Sequence, residues 1–295
     1  MSNSLFKGTG VAIITPFHKD GSIDFKSLQN IIDFQISCHI NYLVVMGTTG
    51  ESATLTKDEK NAIINFVIEI VDNRIPIVLG IGGNNTQDVI NNINGQSFDG
   101  ISGLLSVCPF YNKPQQKGLY LHYKAIATHS PVPVILYNVP GRTGVNLKAE
   151  TVIRLASEFK NIVAVKEASG NLDQMMQIIK HKPKDFLVIS GDDALALPQI
   201  ALGADGVISV TANAFPMEYS EMIQLCLKGN FKKACETQYK LVDIIETLFT
   251  EGSPAGVKAA LEIKKLCSNN LRLPLTPISK PTYNNLATLM EDLKN

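Results

Sequence analysis

The sequence has no excess of charge of either sign. Its 27 acidic and 27 basic side chains give a formal net charge of zero over 295 residues. Nucleic-acid-binding proteins usually carry a basic patch or stripe, and we find none along this chain, so a nucleic-acid partner is not expected. Hydrophobic residues make up 45% and charged residues 18%, a balance that predicts a folded globular protein.

Paired cysteines and long apolar segments are also missing. The five cysteines are an odd number and are widely spaced, without a Cys-x-x-Cys motif. This speaks against a disulfide framework or a zinc site and favours reduced thiols in the core. The N-terminus lacks the features of a signal peptide, and no apolar run approaches the roughly 18 residues that cross a membrane. We therefore expect a cytoplasmic protein without a membrane partner.

Short apolar runs of β type alternate with segments of helical spacing. Helices are predicted over 24–37, 56–71 and 149–158; Thr56 and Glu59 form a capping box, and Thr86 is a candidate cap for a further helix. The apolar runs number eight and occupy residues 11–14, 42–46, 75–79, 104–107, 134–137, 162–165, 186–189 and 207–210.

This alternation predicts the fold class, which is α/β. Apolar strands that alternate with helices form a parallel sheet covered on both faces. Eight such units predict a closed (β/α)₈ TIM barrel over residues 1–214. An open doubly wound sheet is the structural rival, but it usually has fewer strands and often carries a Gly-x-Gly-x-x-Gly motif, which is absent here. Residues 215–295 contain only helical patterns and predict a C-terminal helical extension packed on the barrel.

Lys166 directly follows the apolar run 162–165. In a TIM barrel the catalytic side chains lie at the carboxyl ends of the strands, so polar residues that end an apolar run are the candidates. Removal of an ammonium group from water favours its neutral form, which a nucleophilic lysine needs. A lysine that reaches the rim, or one that pairs with Glu167, explains the position equally well.

Two other strand ends carry polar side chains. Tyr137 ends strand five and is a candidate for proton transfer, and Arg142 in the following loop suits a two-pronged hydrogen bond to a carboxylate. Thr48 and Thr49 follow strand two between glycines, where backbone amides and hydroxyls suit a carboxylate. Each also has an ordinary explanation as a core tyrosine, a loop arginine or a turn residue.

The remaining strand ends are rich in glycine, proline and aromatic residues. Tyr111 lies in a stiff loop between prolines after strand four, which also suits a packing or interface loop. Gly191 follows strand seven, where the missing side chain leaves room for a ligand near the backbone. For Asp192 and Asp193 we favour helix capping over metal binding, because no His or Cys accompanies them.

Taken together, these motifs resemble those of the dihydrodipicolinate synthase family, within the pyruvate-dependent aldolase superfamily that also holds N-acetylneuraminate lyase. The resemblance extends from residue 8 to residue 274. It implies a TIM-barrel lyase that condenses pyruvate with L-aspartate 4-semialdehyde in lysine biosynthesis, without a metal or an organic cofactor. Its signatures are GTTGESATL at 47–55, LYNVPGRTG at 136–144, VKEASGNL at 165–172 and SGDD at 190–193.

The resemblance also implies a role for the matching residues. Lys166 forms an imine with pyruvate and Tyr137 shuttles protons to and from that imine. Thr48 links Tyr137 to Tyr111, which in the family reaches into the neighbouring subunit of a homotetramer built as a dimer of dimers. The joint presence of these four residues argues against a binding protein without catalytic activity.

Substrate contacts follow from the same resemblance. Thr49 and the backbone of Ile208 match contacts to pyruvate, and Gly191 lies at the same strand ends. Arg142 matches the arginine that receives the carboxylate of the aldehyde substrate. The nearest rival function is a lyase that splits a 2-keto sugar acid through the same imine, and Arg142 and Tyr111 argue against it.

Members of the family carry a lysine-feedback site at a dimer interface. Lys60 stands where lysine-sensitive members tend to have His or Glu, and Phe110 stands where the family usually has tyrosine. The residues that match this site are Ser52, Ala53, Lys57, Lys60, Asn84, Asp88 and Phe110.

We predict that L-lysine inhibits this protein weakly or not at all. The ammonium group of Lys60 would repel the ammonium end of a lysine effector, or at least fail to pair with it. The measurement is a titration of activity with L-lysine. Strong inhibition below about 1 mM, which corresponds to roughly −4 kcal/mol of binding free energy, would contradict the hypothesis.

Overall fold

Eight parallel strands form a closed barrel in the computed structural model, which describes residues 3–293. Each strand pairs with the next one along the chain, and β8 pairs with β1. The predicted barrel is thereby confirmed, with strand ends that shift by at most three residues. The strands are β1 (Gly8–Ala12), β2 (Tyr42–Val45), β3 (Ile77–Gly80), β4 (Gly103–Val107), β5 (Val134–Asn138), β6 (Ile162–Glu167), β7 (Leu187–Ser190) and β8 (Gly206–Ser209).

Helices follow the strands and cover the outside of the barrel. The helices are α1 (Phe25–Ser37), α2 (Lys57–Val71), α3 (Thr86–Asn94), α4 (Gln116–His129), α5 (Pro140–Thr143), α6 (Ala149–Glu158), α7 (Leu172–His181), α8 (Ala196–Ala201), α9 (Pro216–Leu227), α10 (Phe231–Thr250), α11 (Ala255–Ile263) and α12 (Lys280–Asp292). None of these helices is long and apolar enough to cross a membrane.

Side-chain caps determine where several helices begin. The predicted capping box at the start of α2 is present, because the Thr56 side chain accepts from Glu59 N and Glu59 accepts from Thr56 N. The prediction for α3 was wrong by one residue. Asn85 is the cap and accepts from Gln87 N, whereas the Thr86 hydroxyl contacts Nδ1 of the buried His122 at 2.8 Å. Thr86 is therefore the first residue of α3, and its side chain joins α3 to α4 instead of capping the helix.

The barrel interior is a separate apolar cluster inside the larger core between strands and helices. Successive side chains of a strand point to opposite faces, so alternate residues of each strand meet at the barrel axis. The outer face of the strands packs against the helices and forms the larger cluster. The interior cluster includes Ala12, Val44, Val78, Leu105, Ile135, Ala164, Leu187, Ile189 and Ile208, together with Tyr42 and Tyr137.

The helices after β8 belong to two parts of the fold, the last unit of the barrel and the C-terminal extension. In the order of elements α9 completes the eighth β/α unit, and it packs on β1 and β8. Helices α10, α11 and α12 follow and pack on one another, and α11 also touches the turn Thr211–Asn213 after β8. The division of the chain between residues 214 and 215 stays a prediction, but a helical extension is present at the C-terminal end of the chain.

Two buried tyrosines differ in how their hydroxyl groups are satisfied. Tyr42 fills the barrel interior beside Phe6, at 5.9 Å between ring centroids, and its hydroxyl has no hydrogen-bond partner within residues 3–293. The hydroxyl of Tyr123 donates to Ser106 O at 3.0 Å and to Cys108 Sγ at 3.3 Å. Both side chains are fully buried.

We predict that Tyr42→Phe keeps or raises the stability of the fold, whereas Tyr123→Phe lowers it. The first change removes a buried hydroxyl without a partner, and the second removes a made hydrogen bond worth about 1 kcal/mol. The free energy of unfolding from denaturant titrations checks both variants. An equal loss of stability in the two would contradict the prediction.

Candidate active site

Lys166 is the last inward-facing residue of β6. Ala164 and Lys166 lie on the same face of the strand, since side chains alternate, and Ala164 belongs to the barrel interior. The lysine is 5% exposed. It therefore lies inside the barrel mouth and does not extend along the rim into water.

Tyr137 is the partner of Lys166 across the strand ladder. The two residues are directly paired in the register of β5 and β6. The amine Nζ of Lys166 lies 4.4 Å from the centroid of the Tyr137 ring, and Tyr137 is 7% exposed. The structure thus joins these two candidates in one buried pair.

Glu167 faces the opposite side of β6 and does not pair with Lys166. Its carboxylate accepts from Asn138 Nδ2, from Gln174 Nε2 and from the backbone N–H of Ser169 at 2.8–3.1 Å. No ion pair to Lys166 is formed within the described part of the chain. The alternative explanation of Lys166 as an ion-pair partner of Glu167 is therefore excluded in this structure.

A buried polar network around Glu167 holds residues that lie next to Tyr137 and Lys166 and after Arg142 in the sequence. Asn138 Nδ2 also donates to Asn146 Oδ1 at 2.7 Å, and Asn138 Oδ1 accepts from Leu147 N. Asn138 follows Tyr137, Glu167 follows Lys166, and Asn146 lies in the loop after Arg142. One network outside the barrel thus holds the segments that carry all three candidates.

Gly191 makes room for the lysine itself. A Cβ at this position would lie 2.6 Å from Ala168 Cβ, 3.0 Å from Lys166 Cε and 3.2 Å from Lys166 Cγ. The sequence suggested space for a ligand near the backbone. The structure shows that the missing side chain first accommodates the stem of Lys166.

The loop after β2 places Thr48 and Thr49 in a 3₁₀ turn that spans Thr48–Gly50. Thr49 is buried and Thr48 is exposed. Gly50 O accepts a hydrogen bond from Thr15 Oγ1 at 2.7 Å, which fastens the turn to the segment after β1. Glu51 ends the turn in the left-handed conformation, with φ of 52°.

Tyr111 and Arg142 lie on two loops that touch each other. The backbone N–H of Tyr111 donates to Thr143 O at 3.4 Å, next to Arg142 on α5. Tyr111 has φ of 78° and is 84% exposed, and Arg142 is also exposed. Across residues 3–293 no hydrogen bond joins the hydroxyls of Tyr137, Thr48 and Tyr111, so the single chain does not assemble a continuous relay.

Asp192 and Asp193 fasten loops and do not cap a helix. Asp192 Oδ1 accepts from the N–H groups of Ala194 and Leu195 in the turn before α8, whose N-cap is Leu195. Asp193 Oδ2 accepts from Val210 N, Thr211 N and Thr211 Oγ1, which holds the turn after β8. The prediction that Asp192 and Asp193 cap a helix was therefore wrong. No cluster of potential metal ligands occurs among the residues described.

Comparison with known proteins identifies the family. Residues 5–293 match the sequence model of the Dihydrodipicolinate synthetase family. The chain belongs to this family. This agrees with the resemblance carried by the strand-end motifs.

Relatives in the dihydrodipicolinate synthetase family cover nearly the whole chain. A 4-hydroxy-tetrahydrodipicolinate synthase of Parabacteroides distasonis is 50% identical, over 99% of both chains. The crystal structure of a dihydrodipicolinate synthase from Thermotoga maritima has a TM-score of 0.96 at 39% identity and covers 98% of this chain and 99% of that one. A synthase from Acinetobacter baumannii, solved in complex with pyruvate, has a TM-score of 0.94 at 41% identity and the same coverage.

The residues predicted from the sequence to line a lysine site lie near the carboxyl ends of β2, β3 and β4. Ser52, Ala53, Lys57 and Lys60 lie in the 3₁₀ turn Ser52–Thr54 and the start of α2. Asn84, Asp88 and Phe110 lie in the loop before α3, on α3 and in the loop after β4. All seven are exposed or half-buried, so a small molecule can reach them in the single chain.

A buried ion pair that the sequence motifs did not predict lies beside the Thr48–Gly50 turn. Lys258 Nζ lies 2.5 Å from Glu51 Oε1, and both side chains are fully buried. Burial lowers the pKa of the Lys258 ammonium group, and the neighbouring Glu51 carboxylate opposes that shift. The signal was available, because Lys258 is the one charged residue among seven consecutive buried residues of α11.

We predict that Gly191→Ala slows imine formation on Lys166 while the fold is kept. The new methyl group would displace the lysine stem or Ala168, and small displacements of a reacting group lower its rate strongly. The rate of borohydride-trapped adduct with pyruvate measures the effect, which we expect to be on the order of 100-fold.

Gly118→Ala is the matched control for this variant. Its Cβ would lie 3.4 Å from Pro114 Cβ, an ordinary contact on α4. Trapping at the wild-type rate in Gly191→Ala would show that the lysine does not depend on the space beside Gly191.

Proposed function

We propose that the chain is a 4-hydroxy-tetrahydrodipicolinate synthase, a lyase of lysine and diaminopimelate biosynthesis that condenses pyruvate with L-aspartate 4-semialdehyde. The observation that carries this proposal is the buried pair of Lys166 and Tyr137 at the barrel mouth, in a chain of this family. The related enzyme from Acinetobacter baumannii was solved with pyruvate, which supports pyruvate as the first substrate.

Lys166 is the nucleophile in this proposal. Its neutral amine attacks the ketone carbon of pyruvate, and loss of one water molecule gives a protonated imine. The imine draws electrons from the methyl group, which loses a proton and becomes an enamine. Its position inside the barrel mouth beside Tyr137 and the lack of an ion pair in the described residues support this role, because no carboxylate engages the amine.

The enamine then attacks the aldehyde carbon of L-aspartate 4-semialdehyde and forms the new carbon–carbon bond. The aldehyde oxygen takes up a proton and becomes a hydroxyl group. The amino group of the second substrate attacks the imine carbon, closes the ring and displaces Lys166 as a free amine. No external oxidant or reductant is needed, and the protein needs no metal or organic cofactor.

Tyr137, Thr48 and Tyr111 form the proton relay for these steps. Tyr137 lies beside the Lys166 amine, which supports a direct role in proton transfer. The exposed Tyr111 side chain, on a backbone held at φ of 78°, suits insertion into the site of a second subunit. The complete relay therefore requires a homo-oligomer, which we propose to be a tetramer built as a dimer of dimers.

Substrate carboxylates are held at separate places. Thr49 contacts the carboxylate of pyruvate in this proposal, the backbone of Ile208 also contacts pyruvate, and Gly191 leaves room beside the stem of Lys166. Arg142 lies on an exposed turn at the mouth and suits the carboxylate of the incoming aldehyde through two parallel hydrogen bonds. A long sugar acid lacks a carboxylate at this point, which favours the short aldehyde.

We also propose a site for L-lysine, at which lysine binds weakly or not at all. Ser52, Ala53, Lys57, Lys60, Asn84, Asp88 and Phe110 are the residues that would line it. The ammonium group of Lys60 disfavours a cationic effector. Lys60→Glu is the matched variant for the lysine titration, since it replaces repulsion by attraction and should increase inhibition.

The deciding experiment is borohydride reduction in the presence of pyruvate, followed by peptide mapping. We expect one reduced pyruvate adduct on Lys166, no adduct in Lys166→Ala, and an unchanged adduct in the control variant Lys160→Ala. An assay that supplies aspartate semialdehyde or a 2-keto sugar acid then assigns the second substrate. A wild-type protein without an adduct, or one active only on the sugar acid, would overturn the proposed function.

A further inference from the structure

Helix α11 is buried on every side and yet carries a charge in its middle. Residues 255–261 are all buried, and Lys258 is the charged residue among them. Its ammonium group lies 2.5 Å from Glu51 Oε1, and the side chains of both residues are 0% exposed. The chain thus places two opposite charges in a dry position where neither can be hydrated.

Lys258 has further partners that hold it in one place. Its Nζ donates to Asn270 O at 2.8 Å and lies 4.2 Å from the centroid of the Phe17 ring. Phe17 lies in the segment after β1, and Asn270 Nδ2 donates back to Phe17 O at 3.1 Å. The helical extension is therefore tied to the catalytic end of the barrel at the residue that contacts Glu51.

The second oxygen of Glu51 is also held by the extension. Glu51 Oε2 accepts from Arg272 N at 3.1 Å. The Arg272 guanidinium donates to both carboxylate oxygens of Glu59, to Gly21 O and to Thr54 O. Both carboxylate oxygens of Glu51 are therefore bound by residues that follow the barrel in sequence.

Glu51 ends the turn that carries Thr48 and Thr49, and its backbone is strained. Its φ of 52° is a left-handed conformation that a residue with a side chain keeps only when its surroundings fix it. Its N–H donates to Thr48 O at 3.1 Å, and Thr54 N donates to its carbonyl at 3.0 Å. The backbone of Glu51 therefore links the Thr48–Gly50 turn to the following Ser52–Thr54 turn.

We infer that the Glu51–Lys258 ion pair is a positioning device that fixes the Thr48–Gly50 turn for the carboxylate of pyruvate. This inference rests on the proposed function. A buried ion pair is weak support for a purely stabilising role, because hydrophobic residues of similar size often stabilise a core as well or better. The pair holds the strained turn in one position. Glu51 and Lys258 do not touch substrate and act on it only through Thr48 and Thr49.

The test compares Lys258→Met with the double variant Glu51→Gln/Lys258→Met. The single variant leaves a buried carboxylate without its partner, so we expect a lower melting temperature and a higher KM for pyruvate. The double variant removes the unpaired charge and should recover most of the melting temperature. Its KM for pyruvate should stay raised on the order of tenfold, the effect of about one hydrogen bond to a charged group.

Kinetic constants for the two substrates distinguish a loss of positioning from a general loss of active-site structure. KM for pyruvate should rise while kcat and KM for aspartate semialdehyde change little, since a lost carboxylate contact weakens ground state and transition state alike. Lys182→Met is the matched control. Lys182 pairs with Asp205 at 3.9 Å before β7, at the other end of the barrel, and its loss should leave KM for pyruvate unchanged.

Glu51→Gln alone is the third variant, because it keeps the shape of the side chain. It leaves the buried Lys258 ammonium group without its carboxylate, so we expect a lower melting temperature together with a several-fold higher KM for pyruvate. An unchanged KM for pyruvate in the folded variants would overturn the inference, and so would loss of the fold in all three. Borohydride trapping in the wild type separates this outcome from failure of the proposed function, which would leave the wild type without an adduct.

Discussion

Closure of the parallel barrel is the constraint on which the rest of the molecule depends. In a closed ring of eight strands, alternate side chains must point to the axis, and the last inward residue of each strand must share one small space with its neighbours. Lys166 and Tyr137 occupy such positions on adjacent strands and are paired in register. Below them the interior is filled by aliphatic side chains together with Phe6 and Tyr42, so the mouth is where the polar candidates meet.

Support for this mouth comes from two polar assemblies on different sides. Behind β5 and β6, Glu167 gathers Asn138, Gln174 and Ser169 N, and every one of these groups donates to the carboxylate. Near β2, Glu51 is held by Lys258 and Arg272 of the C-terminal region. In both places the carboxylate of a residue near the candidate site accepts hydrogen bonds from, or pairs with, groups distant in sequence. The positions of the strand ends therefore depend on the packing of the whole chain.

The buried ion pair also explains why the helical extension cannot be treated as an appendage. Removal of one partner of a buried pair typically costs about 3–5 kcal/mol, because the other charge stays buried without compensation. A domain is stable by roughly 5–15 kcal/mol in total. The extension therefore shares a large part of its stability with the loop that follows β2, and the two cannot vary independently.

The sequence by itself determined the barrel, the capping box of α2 and the strand-end candidates, because these depend on local spacing and on the period of two along a strand. It could not decide between a catalytic Lys166 and one paired with Glu167, nor show that Gly191 accommodates the lysine stem. It also did not reveal that Asn85, and not Thr86, caps α3, or that Lys258 pairs with Glu51. Tertiary structure decided these points, since each depends on a distance between side chains brought together by folding. Tyr111 marks a further limit, because it is exposed in the single chain and the contact that we propose for it is with a second subunit.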